Sequence, residues 1–224
     1  MTRGLFVTAS GTACGKTWLS RGLARALVLQ GRSVAALKPV ETGTGHGPSD
    51  ALALARAAGR PELAAATGLV RLPLAVSPYA AALAASQPLP SPTELAARLH
   101  ELVRGSDAAI VEGAGGLLVP LSREHTMADL AIATGWPIVL VGRDALGTLS
   151  HLLTALESAE RRALHVRAVV LARGPWSLDD PSVTSNAAIL AERISPPVHT
   201  LAATDDDDDA LARAVAPMLS TLFP

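Results

Sequence analysis

Residues 5–17 read LFVTASGTACGKT and lead from an apolar run through a loop of small residues into a segment of helical periodicity. A strand, a loop that ends in Gly-Lys-Thr and a helix, in that order, are the elements of a phosphate-binding P-loop. The backbone N–H groups of such a loop and the N-terminus of its helix attract phosphate oxygens. Ser10 replaces the first glycine of the strict G-x-x-x-x-G-K-[ST] pattern, so the prediction depends on the flanking strand and helix.

The use of lysine strengthens this interpretation. The chain has 19 lysines and arginines together, and only Lys16 and Lys38 are lysines. An ammonium group is a compact point charge, whereas a guanidinium group is a wide planar fork, so the two are not interchangeable. Both lysines follow predicted strands, at the sheet edge where α/β proteins bind ligands. We therefore predict that Lys16 and Lys38 together bind a phosphate or another anion.

A length of 224 residues suits one α/β domain or two small domains, and we predict one domain spanning residues 1–224. A hydrophobic content of 49% suffices for a core, and a net charge of −1 gives no reason to expect a nucleic acid or an anionic membrane as partner. Cys14 is the one cysteine, so an internal disulfide is excluded, which is typical of a reducing compartment. No apolar run reaches the ~18 residues of a membrane span. We expect a cytoplasmic protein.

Apolar runs alternate with helix-period segments along the chain, which predicts a P-loop NTPase-like fold: a mostly parallel sheet with helices on both faces. Strands are predicted at 3–8, 33–37, 108–111, 137–141, 166–171 and 197–201. Helices are predicted at 16–30, 51–58, 79–86, 93–104, 126–134, 148–162, 182–193 and 208–221. Pro39 is expected to end sheet pairing and open a loop over 40–48, and residues 60–106 to be helical with breaks. Gly31 and Ser49 are expected to cap helices, and the acidic run at 205–209 to form a helix-capping loop.

Three predicted strands end in functional groups at the same edge of the sheet. The first is followed by Lys16 and Thr17, the second by Lys38 and the third by Glu112, while Asp50 begins the helix after the Lys38 loop. One hydroxyl and two carboxylates are hard oxygen ligands, which suit a Mg²⁺ ion that keeps some of its waters. We predict a Mg²⁺ site made of Thr17, Asp50 and Glu112.

Four stretches of the chain follow one another in a characteristic order. They are Phe6-Val7-Thr8 with Thr12 and Gly15-Lys16-Thr17, then Lys38-Pro39-Val40-Glu41-Thr42-Gly43, Ser49-Asp50-Ala51-Leu52, and V-E-G-A-G-G-L at 111–117. In these stretches the sequence resembles the dethiobiotin synthetases, the ATP-dependent enzymes of biotin synthesis. Weaker matches are Ser77-Pro78 and L-G-T-L-S-H at 146–151. The second and fourth stretches are the most specific.

The resemblance implies a reaction and its catalytic residues. In the family, 7,8-diaminopelargonate takes up CO₂ on one amine as a carbamate, and ATP phosphorylates the carbamate to a carbamic-phosphoric mixed anhydride. The second amine then closes the ring, which yields dethiobiotin, ADP and phosphate. The resemblance implies that Lys16 and Thr12 hold the transferring phosphoryl group. It also implies that Lys38 neutralises the charge that develops at the transition state.

The resemblance also implies binding residues. ATP and its Mg²⁺ would be bound by Ala13, Cys14, Gly15, Lys16, Thr17, Trp18, Asp50, Glu112, Gly113, Ala114, Gly115, Arg173 and Gly174. The small-molecule substrate would be bound by Thr42, Ser77, Gly147, Thr148, Ser150 and Asn186. The helix that begins near Gly147 would present its N-terminus to the substrate's carboxylate from the partner subunit of a homodimer.

One departure from the family concerns the base of the nucleotide. Family members often read adenine with Asn-Asp after the fifth strand, and this chain has Ala172-Arg173-Gly174-Pro175 there. Arg173 has donors only and cannot accept a hydrogen bond from the adenine amine. Pro175 lacks a backbone donor. The sequence therefore predicts weak discrimination among ATP, GTP and CTP. The alternative is that backbone groups of residues 172–175 or 199–204 read adenine without an asparagine.

Two other function classes share the P-loop. An amidoligase such as a cobyrinate diamide synthase usually carries a glutaminase domain with a nucleophilic cysteine, for which this chain has neither the length nor a second cysteine. A ParA/MinD-like switch that binds partners or membranes normally has an additional lysine early in the loop. That lysine is absent from residues 9–11, which read ASG.

Overall fold

The computed structural model describes residues 2–45 and 49–224. Its strands are β1 (Arg3–Ala9), β2 (Val34–Leu37), β3 (Val40–Thr42), β4 (Val70–Leu72), β5 (Ala108–Glu112), β6 (Ile138–Arg143), β7 (Val166–Ala172) and β8 (Val198–Leu201). Its helices are α1 (Lys16–Leu29), α2 (Asp50–Ala57), α3 (Pro78–Ala84), α4 (Pro92–Leu102), α5 (Met127–Thr134), α6 (Thr148–Glu160), α7 (Asn186–Arg193), α8 (Asp208–Val215) and α9 (Leu219–Leu222).

Six strands form one sheet in the order β2-β5-β1-β6-β7-β8, and every neighbouring pair is parallel. The order places β5 between β2 and β1. In the register, Glu112 of β5 lies opposite Val7 of β1, and Val111 lies opposite Leu37 of β2. The three strand ends that the sequence assigns to function are therefore adjacent.

The large sheet is covered on both faces, as predicted. Leu5 of β1 belongs to a core cluster with Leu23 of α1 and Val215 of α8. The next residue, Phe6, points to the other side and belongs to a cluster with Leu99 of α4 and Leu130 of α5. Because both faces are buried, β1 reads as a continuous apolar run rather than an alternating one.

A second, two-stranded sheet corrects the prediction of a loop at 40–48. β3 pairs in parallel with β4, which lies in the region 60–106 that was expected to be only helical with breaks. Pro39 does end the pairing in the large sheet, because β2 stops at Leu37. The chain then continues directly as a strand of the second sheet. Residues 46–48 of the predicted loop lie outside the described residues.

The helix caps agree largely with the sequence. The Ser49 hydroxyl accepts a hydrogen bond from the N–H of Leu52 at 3.2 Å, so it caps α2 as predicted. Helix α1 ends at Leu29 and its C-cap is Gln30, so Gly31 lies one residue beyond the cap. Its φ of 78° explains why a glycine stands there.

Two predicted helices begin or end differently. The helix predicted at 182–193 starts only at Asn186, after a 3₁₀ turn at Pro181–Thr184. The helix predicted at 208–221 is divided into α8 and α9 by a 3₁₀ turn at Ala216–Met218. Pro217 lies in that turn and cannot donate the backbone hydrogen bond that a continuous helix needs.

The acidic run before α8 caps this helix, as predicted. The side chain of Asp207 accepts a hydrogen bond from the N–H of Asp209 at 3.0 Å. Asp208 and Asp209 also pair with Arg21 and Arg25 of α1, at 2.8 and 2.6 Å. Within residues 2–45 and 49–224, no three Asp, Glu, His or Cys side chains are grouped as a metal site. The run therefore docks α8 on α1.

None of the helices that the structure describes combines the length and the hydropathy needed to cross a membrane.

Candidate active site

A cavity of about 660 Å³ lies at the ends of β1, β2 and β5. It brings together most residues that the sequence assigns to nucleotide, metal and substrate: the loop 12–18, Lys38, Thr42, Asp50, Ser77, Glu112, Ala114 and Gly115. These residues come from both sheets. The cavity is therefore assembled by the fold rather than by any single segment.

The P-loop wraps the start of α1 in the conformation that an anion site requires. Ala13 and Gly15 have φ values of 52° and 88°. A Cβ on Gly15 would lie 2.6 Å from the Cβ of Ala172, so only glycine fits between the loop and β7. The Lys16 side chain folds back and donates to the carbonyl of Gly11 at 3.2 Å. The first N–H groups of α1 have no acceptor within the helix and are available to a ligand.

Lys38 joins the two carboxylates predicted to bind metal. Its ammonium donates to Glu112 Oε1 at 2.9 Å and to Asp50 Oδ2. The Thr17 hydroxyl donates to the same Glu112 oxygen at 3.0 Å. Lys38 is 8% exposed and Glu112 is fully buried, so these charges interact in a region of low dielectric.

The environment moves the pKa values of the two lysines in opposite directions. Burial lowers the pKa of Lys16 from its ordinary value, and the attraction of Glu112 does not fully offset this. Burial also acts to lower the pKa of Lys38, but the adjacent carboxylates of Glu112 and Asp50 outweigh it and raise that pKa. Lys38 is therefore a fixed cation, whereas the charge of Lys16 depends more on its ligand.

The donor set fits a Mg²⁺ ion. Glu112 Oε2 is fully buried and accepts no hydrogen bond from any group in the described part of the chain. A buried carboxylate oxygen without a donor is costly unless a cation binds it. The Thr17 hydroxyl and the Asp50 carboxylate are linked to this residue directly and through Lys38. Hard oxygen ligands of this kind are those that Mg²⁺ prefers.

Glu41 has a positioning role that the sequence motif does not reveal. Its carboxylate is 4% exposed and accepts hydrogen bonds from the Ser49 hydroxyl at 2.9 Å and from the N–H of Ala51 at 3.2 Å. Both donors lie at the start of α2, so Glu41 fixes the helix end that carries Asp50. Arg71 Nε lies 3.4 Å from Glu41 Oε2, and Arg71 Nη1 donates to the Lys38 carbonyl at 2.9 Å.

The glycines after β5 let two loops meet. A Cβ on Gly116 would lie 3.2 Å from the carbonyl oxygen of Ala9 and 3.2 Å from the nitrogen of Gly11. The N–H of Leu117 donates to the same Ala9 carbonyl at 3.0 Å. The glycine-rich segment therefore supports the P-loop from below, which keeps Glu112 close to Thr17.

Three residues predicted to contact the nucleotide are not brought to the cavity. Gly113 is buried against Met127 and Phe6, and its N–H donates to Val7 in β1. The Arg173 guanidinium donates to Asp144 at 2.8 Å and to the carbonyl of Val183 at 3.1 Å. Gly174 packs against the ring of Trp176. These three residues support the site from outside it.

Asn186, predicted as a substrate contact, belongs to the same supporting cluster. It is 2% exposed, and its amide donates to Asp144 at 2.9 Å and to the Ser182 hydroxyl at 3.2 Å. The contact is therefore with a buried carboxylate rather than with the cavity. No local sequence pattern indicates this contact, since Asp144 lies 42 positions away.

Gly147, Thr148 and Ser150, the other predicted substrate contacts, lie at the start of α6 and do not line this cavity. Gly147 has a φ of 92° and stands at the N-cap. The Thr148 hydroxyl is buried, and no group in the described residues bonds to it. Leu146, just before, is 85% exposed. The structure does not join this helix start to the Lys16–Lys38 cavity of the same chain.

Trp176 lines the cavity although sequence reasoning did not select it. It stacks on Trp18, with the ring centroids 5.6 Å apart and an angle of 16° between the planes. One signal was available: aromatic residues make up only 3% of the chain, so a tryptophan in a loop is unusual. Ala75, Val76, Pro78 and Val119 also line the cavity and were not predicted.

Comparison with known structures agrees with the observed fold. The chain resembles the cell division ATPase MinD of Pyrococcus furiosus, with a TM-score of 0.58 at 19% identity, over 96% of this chain and 89% of that one. It also resembles the cobyrinic acid a,c-diamide synthase of Mycobacterium smegmatis, which was solved with bound ADP and magnesium. That TM-score is 0.55 at 17% identity, over 98% and 95% of the two chains. At these identities the likeness concerns the fold alone.

Comparison of sequences is more specific. A family model described as an AAA domain matches residues 3–211. The ATP-dependent dethiobiotin synthetase BioD of Anaeromyxobacter dehalogenans strain 2CP-C is 39% identical over 220 residues, which is 97% of each chain. The protein of the same name from Mycobacterium avium strain 104 is 41% identical over 194 residues, 86% of this chain and 83% of that one. This chain belongs to the dethiobiotin synthetase family.

Proposed function

We propose that the chain catalyses the ATP-dependent closure of 7,8-diaminopelargonate and CO₂ to dethiobiotin, with release of ADP and phosphate. The observation that carries this proposal is the convergence of four functional groups on one cavity. Lys16, Lys38 and Glu112 follow three adjacent strands and Asp50 begins α2; Lys38 bonds directly to both carboxylates, and Lys16 interacts with them through its charge. Both alternative function classes rest only on likeness of fold, whereas the relatives in sequence are dethiobiotin synthetases.

The reaction proceeds in three steps. One amine attacks CO₂ and forms a carbamate with loss of a proton. A carbamate oxygen then attacks the γ-phosphorus of ATP, which forms the mixed anhydride and expels ADP. The second amine attacks the carbonyl carbon, forms the second C–N bond, loses a proton and expels phosphate. The second and third steps move negative charge between the carbamate and phosphate oxygens, and fixed cations stabilise such charge.

Lys16 and Lys38 supply those cations on two sides of the transferring group. Lys16 extends from the P-loop, and binding a phosphate replaces its bond to the Gly11 carbonyl. Lys38 stands at the end of β2, where its ammonium is fixed by two carboxylates. A fixed cation requires little reorganisation as charge develops, which favours the transition state. Thr12 at the cavity wall donates to the same phosphoryl group.

Thr17, Asp50 and Glu112 hold the Mg²⁺ that accompanies the nucleotide. When bound, this ion neutralises phosphate charge and orients the terminal phosphates for in-line attack. The solved diamide synthase with ADP and magnesium supports the presence of such an ion in this fold. The chain itself contributes the orientation of the ligands: Glu41 holds the start of α2 so that Asp50 faces Glu112.

Thr42 and Ser77 bind 7,8-diaminopelargonate at the second sheet. Both line the same cavity as Lys38. Ser77 caps α3, because its side chain accepts from the N–H of Ala80 at 3.4 Å, which leaves its hydroxyl proton to donate to an acceptor in the substrate. The apolar chain of the substrate is accommodated by Ala75, Val76 and Pro78.

The start of α6 binds the substrate carboxylate in the site of a second subunit. Three features support a homodimer of this kind. The N-terminus of α6 attracts anions, its Thr148 hydroxyl is buried without a bond among the described residues, and Leu146 beside it is highly exposed. Co-expression of Lys38→Met with Thr148→Asp tests the assignment. A mixed dimer has one intact site, so activity should reappear although each variant alone is inactive.

The experiment that tests the function uses ¹³C-bicarbonate. Purified chain with MgATP and 7,8-diaminopelargonate should form dethiobiotin that is one mass unit heavier, with one phosphate released per product. Omission of 7,8-diaminopelargonate is the control, and phosphate release should then be small. Phosphate release without labelled dethiobiotin would contradict the proposal.

A further inference from the structure

We propose that the nucleotide base packs against the tryptophan pair Trp18–Trp176 and is held by this contact rather than by hydrogen bonds to its edge. The site would then accept purine and pyrimidine nucleoside triphosphates as a class. The inference rests on the proposed function, because it concerns the nucleoside end of the same cavity.

The direction of the nucleotide follows from the charges. The outermost phosphate belongs beside Lys38, Asp50 and Glu112, where the second sheet supplies the other substrate. The phosphate chain crosses the P-loop N–H groups, so the nucleoside extends away from Lys38. In the large sheet β7 lies on the other side of β1 from β2, and Trp176, which follows β7, lines the cavity together with Cys14 and Trp18. This is the apolar end of the cavity, and it is where the base comes to lie.

The tryptophan pair is held in place before any ligand binds. The Trp176 indole N–H donates to the carbonyl of Ala172 at 3.0 Å. The Arg143 guanidinium lies over the Trp176 ring, 5.1 Å from its centroid, and donates to the carbonyl of Ala13 at 2.8 Å. One arginine thus connects the P-loop to the stacked pair. Trp18 and Arg143 both lie against the Trp176 ring and hold it in place, so a flat ring meets the preorganised pair through Trp18, which lines the cavity.

The side chains that could read a base edge are already engaged. Trp176 has a single polar hydrogen, and Ala172 accepts it. The Arg173 guanidinium is turned away by its bonds to Asp144 and to the Val183 carbonyl. Asp144 is itself fully buried and also accepts from Asn186, so this cluster is well satisfied.

The backbone of the same segment is also largely used. The N–H of Arg173 donates to Leu201 at 2.9 Å, that of Ser177 to Gly174 at 2.8 Å, and that of Gly174 to the Ser177 hydroxyl at 3.4 Å. Pro175 has no N–H. The Ala172 carbonyl accepts from Asp144 as well as from Trp176. A segment that satisfies its own polar groups has few left to distinguish one base from another.

Stacking does not depend on the identity of the base, since every base has a π-face. The phosphates, which all nucleotides share, are bound by the P-loop and supply the remaining affinity. Selectivity should then be limited to the modest advantage of a larger purine ring over a pyrimidine ring. The affinities for different bases should lie within about tenfold of one another.

The test measures nucleotide binding by calorimetry, without 7,8-diaminopelargonate. Wild type, Trp176→Ala and Trp176→Phe are each titrated with the Mg²⁺ complexes of ADP, GDP, CDP, UDP and pyrophosphate. Trp136→Phe is the matched control, because Trp136 makes an edge-to-face contact with His100 and does not line this cavity. Trp176→Leu keeps apolar volume without an aromatic face, and it carries the test if Trp176→Ala does not fold.

We expect the Kd values of the four nucleoside diphosphates for wild type to lie within about tenfold of one another. Trp176→Ala should weaken all four by on the order of tenfold and leave pyrophosphate unchanged, and Trp176→Phe should restore most of the affinity. A preference for ADP above about a hundredfold would overturn the inference. So would unchanged diphosphate affinity in Trp176→Ala, or an equal loss for pyrophosphate, which would show that Trp176 only supports the P-loop. If wild type shows the expected binding but forms no dethiobiotin with any triphosphate, the proposed function fails while the inference stands.

Discussion

The two ends of the cavity differ in the groups that form them: charged side chains at the phosphoryl end and aromatic side chains at the nucleoside end. At the phosphoryl end, the buried Lys38 contacts the carboxylates of Asp50 and Glu112 directly, and the buried Lys16 of the P-loop lies in the field of the same charges. At the nucleoside end, two tryptophans and an irregular segment after β7 form an apolar surface whose polar groups bond to each other. The first end depends on particular charges, whereas the second depends on shape.

This contrast has an energetic consequence. In a buried charge cluster, removal of one partner leaves another charge uncompensated, and the cost is several kcal/mol. Truncation of an aromatic side chain loses only its stacking free energy, about 1–3 kcal/mol for a stacked base. Substitutions at the phosphoryl end should therefore abolish catalysis, and substitutions near the nucleoside end should only adjust affinity.

The largest effect is expected for Lys38→Arg. The guanidinium keeps the charge but is too wide for a position enclosed by Asp50 and Glu112. We expect kcat to fall on the order of 10²-fold or more. MgADP affinity should change little, because the P-loop is intact, and this measurement serves as the control. Near-normal turnover would remove Lys38 from the mechanism.

Glu112→Gln should mainly affect the metal. The amide cannot supply the buried anionic oxygen that Oε2 offers, and Lys38 loses one of its partners. We expect Mn²⁺, used as a spectroscopic substitute for Mg²⁺, to bind roughly 10–100-fold more weakly in the presence of ADP, as measured by paramagnetic resonance. Glu101→Gln is a matched control, because that carboxylate lies on α4 in an exposed pair with Arg98. Equal Mn²⁺ affinity in Glu112→Gln and wild type would exclude Glu112 as a ligand.

The pH dependence of nucleotide binding should report on Lys16. Burial lowers its pKa in the free protein, and a bound phosphate restores the charged form. The Kd of MgADP should be constant at low pH and then rise up to about tenfold per pH unit once the pH passes a pKa below 10.5. Lys38 should not contribute, because its pKa is raised. A flat Kd through that range would show that Lys16 does not pair with phosphate.

The smallest effect is expected for Asn186→Ala, which removes one hydrogen bond to buried Asp144. Arg173 still neutralises that carboxylate, so the cost should be about 1–3 kcal/mol of unfolding free energy, measured in urea. Turnover at saturating nucleotide should stay within about twofold of wild type, since the Asn186 amide is buried and already bonded to Asp144 and Ser182. A larger loss of turnover with a raised KM for 7,8-diaminopelargonate would contradict this prediction and show that Asn186 contributes to substrate binding.

The phosphoryl end could be predicted because its chemistry allows few residue types. A lysine, a threonine or a carboxylate placed directly after a buried apolar run has few structural explanations. Alternating strands and helices imply a parallel sheet, whose strands all end at the same edge, so Thr17, Lys38 and Glu112 could be assigned to one edge from the sequence. The strand order that makes them neighbours comes from the structure. The structure adds the hydrogen bonds among them. Lys38 donates to both Asp50 and Glu112, which explains why a compact cation stands at this position.

The nucleoside end could not be predicted, for a physical reason. Trp18 and Trp176 are distant in sequence, and their stacking is a tertiary contact that no local pattern encodes. Arg173 and Asn186 look available in the sequence, but Asp144 engages both. The β3–β4 pairing was missed for a similar reason: each strand has three residues, and Pro39 suggests the end of a sheet.

The short passage from β2 to β3 has a consequence for how the protein opens. Only Lys38 and Pro39 separate the two strands, and the carbonyls of these residues are bonded to Arg71 and Val70 of β4. A sheet of two three-residue strands has few hydrogen bonds of its own, so it should exchange its amide hydrogens by local opening well before the large sheet unfolds. Each such event displaces Lys38 and Thr42 together. Under the proposed function a nucleotide and a substrate bridge the two sheets, so we expect their binding to slow this local opening and lengthen the lifetime of the assembled site.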